Sequence, residues 1–124
     1  MFEIISEASF SAAHRLVNYD GPCEEFHGHN WMVRAFVRCE TLNDIGLGID
    51  FRDLKKALNT VLDRLDHKDL NKVFGETIKN PSSELISQYI YKELRRIINT
   101  ERVKIHRVEV FETPGNCAAY FENS

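Results

Sequence analysis

The chain reads as an α+β domain in which two helices cover one face of an antiparallel sheet. Three observations predict it. Hydrophobic alternation with period two runs through 29–40 and again through 103–111. Two segments between them, 51–65 and 85–98, carry apolar residues at spacings of three and four. The resulting order is ββααββ, and runs of strands separated by runs of helices favour α+β over βαβ winding.

The elements follow in order. Phe2, Ile4, Ile5 and Phe10 predict a first strand over about 2–10. Asn18, Asp20-Gly21 and Pro22 are turn formers, so Leu16–Glu25 is a loop with Cys23 near its far end. In the second strand Val33, Ala35, Val37 and Cys39 alternate with Met32, Arg34, Phe36 and Arg38. A loop containing Gly46 and Gly48 leads to Asp50, a cap for a helix with a stripe of Phe51, Leu54, Leu58, Val61, Leu62 and Leu65. That helix is expected to end near Asp66-His67, and 68–79 looks irregular. Asn80-Pro81 reads as the cap and first position of the second helix, whose stripe is Leu85, Ile86, Tyr89, Ile90, Leu94, Ile97 and Ile98. Val103–Phe111 is the third strand, Thr113–Asn116 a turn, and Cys117–Phe121 the fourth strand. Four strands with mixed faces leave a sheet with open edges, which suggests that other copies of the chain cover it.

Size and charge narrow the function. A chain of 124 residues suits one domain, 1–124. A net charge of −3 gives no electrostatic reason to expect nucleic acid as a partner. No apolar run approaches the roughly 18 residues of a membrane span. Met1–Glu7 lacks the basic start and apolar core of a signal peptide. Three scattered cysteines, Cys23, Cys39 and Cys117, make a poor disulfide framework. The expectation is a cytoplasmic protein without nucleic-acid or membrane partners.

The chemistry concentrates in Cys23-Glu24-Glu25-Phe26-His27-Gly28-His29-Asn30. In a strand His27 and His29 aim their imidazoles to one side, and Gly28 between them permits close approach. His14, just past the first strand, supplies a third nitrogen if the first two strands pair. Three neutral imidazoles suit zinc and leave one coordination position for water or substrate; another divalent ion fits the same donors. The plain alternative is a turn with two surface histidines. Cys23 is either a fourth ligand, which makes the site a non-catalytic staple, or a thiolate beside the metal.

At the level of motifs the chain resembles the 6-pyruvoyltetrahydropterin synthase family, and within it the 6-carboxytetrahydropterin synthase branch of queuosine and related deazapurine synthesis. The resemblance rests on Phe10–His14, Cys23-x3-His27-Gly28-His29-Asn30, Asp50-Phe51, Leu65–Asn71, Asn80–Glu84 and Glu112-Thr113-Pro114. It implies the tunnelling fold (T-fold), with three subunits closing a barrel, two trimers stacking into a homohexamer, and active sites between subunits. It also implies Zn2+ on His14, His27 and His29, Cys23 as the catalytic thiol, Asp66 and His67 in relay with it, and Glu112 as the anchor of the pterin. The implied substrate is 7,8-dihydroneopterin triphosphate, converted to the 6-carboxy product with loss of triphosphate and acetaldehyde. Arg15, Lys68, Lys72 and Lys104 are candidates for the triphosphate by charge alone. Glu24, three residues before His27, matches instead the branch that cleaves the side chain of dihydroneopterin to 6-hydroxymethyldihydropterin, so a second activity stands beside the first. A solvated loop carboxylate is the plain alternative for Glu24.

Overall fold

The structure is a computed structural model that describes residues 1–17 and 25–122. Its strands are β1 (Phe2–His14), β2 (His27–Cys39), β3 (Lys68–Asp69), β4 (Lys104–Thr113) and β5 (Asn116–Phe121). Its helices are α1 (Phe51–Leu62), α2 (Leu70–Phe74) and α3 (Ser83–Ile98). The sheet runs β3-β1-β2-β4-β5. All pairs are antiparallel except β3, which joins the edge parallel to β1 at Ala12 and Ala13. The ββααββ plan therefore holds, with two short additions inside the segment 68–79 that periodicity alone reads as irregular.

Alternation builds the core. From β2 come Trp31, Val33, Ala35, Val37 and Cys39, all buried, and β4 contributes Ile105, Val108 and Val110. Against that face pack Leu54, Ala57, Leu58, Val61 and Leu62 of α1, and Ile86, Ile90, Tyr91, Leu94 and Ile98 of α3. The helical stripes are narrower than their apolar spacing suggests. Phe51 is 69% exposed, and Leu85 and Ile97 are also exposed, because each sits at a rim of its helix rather than over the sheet.

Helix ends differ from the expected ones for local reasons. Asp50 caps α1 as expected, accepting from Arg52 N at 2.8 Å. The helix stops at Leu62, however. Arg64 N and Leu65 N turn back to Val61 O and Leu62 O, bonds that tighten the chain beyond α geometry. His67 then takes φ 58°, a left-handed conformation that ends the turn. Leu65 still reaches the core from this turn. At α3 the cap is Ser82, accepting from Leu85 N at 3.2 Å, and not Asn80. Asn80 and Pro81 lie ahead of the helix and have other partners.

The face of the sheet away from the helices is amphiphilic. Arg34 pairs with Glu7 at 2.8 Å and Arg38 with Glu3 at 2.9 Å, while the Arg34 guanidinium lies over the Phe111 ring. Among the described residues no helix is long and apolar enough to cross a membrane.

Two substitutions test this packing. Leu58→Ala removes a side chain with no exposure from between α1 and the sheet and is expected to cost about 2–5 kcal/mol in denaturant unfolding. Gly48→Ala would put a Cβ 2.5 Å from Ile4 Cδ1 and 2.8 Å from Cys39 Sγ. The same measurement should show a loss of about 1–3 kcal/mol from overpacking.

Candidate metal centre

The centre begins with strand register. β1 runs four residues beyond its expected end, so His14 is its last residue rather than part of a loop. In the antiparallel pair His14 stands opposite His27, and Ala12 opposite His29. Opposed residues share a face, and this face is the one that carries Phe10, Ala12 and Trp31 in the core. The three histidines therefore continue the buried row at its open end. Glu112 follows Val108 and Val110 on the same face of β4 and arrives at the same place.

The side chains converge. One ligand atom from each of His14, His27, His29 and Glu112 lies within 4.8 Å of all the others. Glu112 Oε1 is 2.7 Å from His14 Nε2, 3.5 Å from His29 Nε2 and 3.9 Å from His27 Nε2. His14 is 1% exposed. The rings of His14, His27 and His29 meet edge to face, and Trp31 packs against two of them while its Nε1 donates to Ala12 O at 3.1 Å.

The hydrogen bonds define which nitrogens face the centre. His14 Nδ1 donates to Pro81 O at 2.8 Å, and His27 Nδ1 donates to Glu25 O at 2.7 Å. A carbonyl only accepts, so each Nδ1 carries the proton, and in the neutral ring Nε2 presents a lone pair. Those lone pairs face the carboxylate oxygen of Glu112. Acceptors this close require a positive charge among them, either a proton or a metal ion. The buried Nε2 of His29 is within ion-pair range of Glu112 but has no hydrogen-bond partner. An orphaned buried nitrogen, two rings oriented through backbone carbonyls, and a carboxylate fit a divalent ion of the zinc type. The three predicted histidines come together as expected. Glu112, expected at the pterin, stands in the same group.

Asp66 and His67 do not join it within one chain. Asp66 Oδ1 accepts from Ser11 N at 2.8 Å, and His67 N donates to Ser11 O. Both contacts are to main-chain atoms of Ser11, which point along the sheet, so this pair docks at the edge of β1 that β3 also joins. The Asp66 carboxylate is held below its ordinary range first by the Ser11 amide and then by His67, whose Nδ1 lies 3.0 Å away. The His67 side chain is 82% exposed. With Ser11, Gly28, His29, Asn30 and Lys68 it lines a cleft of about 540 Å³.

Cys23 and Glu24 lie outside the described residues. Of the four candidate phosphate binders, Lys68 borders this cleft and Arg15 follows His14 directly. Lys72 is on α2, and Lys104 pairs with Arg38 at the opposite end of the sheet. Sequence reasoning missed two supports of the centre. Pro81 has the sequence signature of a first helical position, but its carbonyl orients His14. Asn71 and Asn80 bind the main chain just after His14. Only their place beside Leu70 and Pro81 in the resemblance singled them out.

The fold is shared with solved proteins. The Caenorhabditis elegans 6-pyruvoyl tetrahydropterin synthase structure superposes with a TM-score of 0.85 at 28% identity, covering 98% of this chain and 96% of that one. Sheet, helices and histidine centre thus define a T-fold protein of the pterin-enzyme type. The family profile for 6-pyruvoyl tetrahydropterin synthase matches residues 3–123. A Synechocystis 6-carboxy-5,6,7,8-tetrahydropterin synthase is 35% identical over 98% of this chain and 94% of its own length. A Pyrococcus furiosus dihydroneopterin monophosphate aldolase is 35% identical over 88% of each chain. The chain belongs to the 6-pyruvoyl tetrahydropterin synthase family.

The electrostatics of the centre carry a pH prediction for the metal-free protein. Burial lowers the His29 pKa from its ordinary 6.5; Glu112 opposes this, and His27 and His14 add to the lowering. The unfolded chain therefore binds this proton more tightly than the folded one. Stability is retained above about 6.5 and falls as pH drops through the window just below it. In thermal melts of metal-free protein between about pH 7 and 5, wild type should lose stability more steeply than His29→Gln.

Proposed function

We propose that this 6-carboxytetrahydropterin synthase-like enzyme is a zinc-dependent lyase. Its reaction converts 7,8-dihydroneopterin triphosphate and water to 6-carboxy-5,6,7,8-tetrahydropterin, acetaldehyde and triphosphate. The observation that carries the reading is the convergence of three imidazole Nε2 atoms on one point, with His29 Nε2 left without a hydrogen-bond partner.

His14, His27 and His29 would hold the ion through Nε2, with His14 and His27 fixed in tautomer by Pro81 O and Glu25 O. Zinc bound there supplies Lewis acidity to the side-chain hydroxyls of the substrate. Every other function falls to the chain. Cys23, as thiolate, takes the proton from the carbon next to the pterin side-chain hydroxyl. Glu112 accepts two hydrogen bonds from the ring N–H and exocyclic amine of the pterin, a charge-assisted paired contact. Asp66 orients His67 through Nδ1, and His67 relays the proton.

The exposure of His67 and its place at the edge of β1, outside the histidine cluster, support an active site shared between copies of the chain, with Asp66 and His67 serving a neighbour's thiol. The amphiphilic sheet face and open edges agree with a homohexamer of two stacked trimers. The exposed cleft residue Lys68 and the neighbouring Arg15 are the preferred triphosphate contacts. A cytoplasmic setting accords with the two described cysteines, Cys39 and Cys117, both being free.

A second reading has its own support in the Pyrococcus aldolase relative and in Glu24: cleavage of the dihydroneopterin side chain to 6-hydroxymethyl-7,8-dihydropterin, with Glu24 handling the proton. Product identification separates the two. With dihydroneopterin triphosphate, wild type should form the 6-carboxy product, Cys23→Ala should lose it by at least about 100-fold, and Glu24→Ala should retain it. Loss of only a hydroxymethyl product in Glu24→Ala would assign that branch to Glu24. Full carboxy-product formation by Cys23→Ala, or by protein stripped of metal with a chelator, overturns the proposal.

A further inference from the structure

We propose that Asn80 and Asn71 are positioning residues for the metal centre, acting through the main chain that leaves His14. The inference rests on the metal reading above and adds to it two residues that touch neither metal nor substrate.

His14 ends β1, and what fixes its ring is a backbone carbonyl. Pro81 O accepts from His14 Nδ1 at 2.8 Å, and Pro81 is buried. That bond decides that Nε2 carries the lone pair directed at the centre. No side-chain substitution deletes a carbonyl, so the bond depends on whatever holds Pro81 O in place. Two contacts do so. Ser82 N donates back to Asn80 O at 2.8 Å, closing a tight turn around Pro81. The Asn80 side chain then ties this turn to the strand exit: Oδ1 accepts from Val17 N at 2.7 Å and Nδ2 donates to Val17 O at 2.9 Å. The amide binds Val17 as a peptide group on a neighbouring strand would.

Asn71 repeats the device two residues earlier. Its Oδ1 accepts from Arg15 N at 2.9 Å and its Nδ2 donates to Arg15 O at 3.0 Å. Asn71 is itself placed by Asp69, whose side chain caps α2 and accepts from Asn71 N at 3.0 Å. Asp69 pairs with Ala13 through the parallel edge strand. Residues 15 and 17 are thus bracketed by two side-chain amides from two different segments. The bracket ends one residue from a buried ligand candidate on one side, and Asn80 adjoins the carbonyl that orients that ligand on the other. A stem held this way needs no further strand pairing, and the four bonds satisfy main-chain groups that β1 no longer serves.

The fold needs a stable stem, but a stem could be held without touching His14. The coupling to His14 comes from Asn80 and Pro81 being consecutive. Loss of the Asn80 contacts frees the turn, and the Pro81 carbonyl can then drift from Nδ1 and release the tautomer. Asn99 offers a control with the same chemistry elsewhere: its Oδ1 accepts from Ile105 N at 2.8 Å, far from the histidines.

The experiment measures Zn2+ and Co2+ affinity by competition with a chromophoric chelator, together with melting temperature. Asn80→Ala is expected to weaken metal binding about 10- to 100-fold, the range for loss of an orienting partner. Asn71→Ala should weaken it less, and Asn99→Ala should lower the melting temperature with affinity unchanged. In nitrogen-detected NMR of the metal-free protein, His14 should lose its fixed Nδ1–H tautomer in Asn80→Ala. Should Asn80→Ala fail to fold, Asn80→Asp retains the acceptor, loses the donor, and is expected to show a loss of roughly tenfold. Affinity within about twofold of wild type in the folded Asn80 variant, or an equal loss in Asn99→Ala, overturns the proposal. Wild type that binds no metal overturns the metal reading instead.

Discussion

The antiparallel register that sets His14 opposite His27 is the constraint on which the centre depends. A slip of one residue would move every side chain of a strand to the other face. His27 and His29 would then leave the buried row, and Trp31, Val33, Ala35 and Val37 would face outward. The same register therefore closes the core and assembles the histidines. Burial of the apolar row, at about 25 cal/mol per Å² of apolar surface, makes the correct pairing the stable one. The metal-binding candidates inherit that specification without having to supply it.

This arrangement also sets the electrostatics. The histidines sit where a core row meets solvent, so the His14 ring is almost wholly dehydrated and those of His27 and His29 in part. Backbone carbonyls take the Nδ1 protons of His14 and His27, and the lone pairs point inward at the carboxylate of Glu112. A centre built only of acceptors is unfavourable when empty of positive charge, and this supplies the preference for a cation. Glu112 occupies that point in the described arrangement.

A carboxylate–imidazole pair is built on a different part of the frame. Asp66 and His67 end the turn after α1 and dock on the Ser11 backbone, at the edge of β1 that β3 joins. The left-handed conformation of His67 is held by that docking. Within one chain the Asp66–His67 pair and the histidine cluster thus stand on different parts of the frame.

Much of this was legible in the sequence. Period-two alternation gave the strands, three-and-four spacing gave α1 and α3, and His27-Gly28-His29 announced two imidazoles on one side of a strand. Those signals are local: each depends on residues within a few positions of one another. The length of β1, the parallel edge strand at Lys68-Asp69 and the place of Glu112 among the histidines depend on pairing across the chain, which local spacing does not encode. Asn80 shows the difference most plainly. Beside a proline it reads as a helix cap, because propensity knows only its neighbours. In the fold Ser82 takes the cap, and Asn80 binds the main chain of Val17, 63 residues away in sequence. The sequence by itself determined which histidines could bind metal; the tertiary structure brought Glu112 among them and decided which nitrogens face the centre, because that is set by strand pairing and by backbone carbonyls that carry no residue identity.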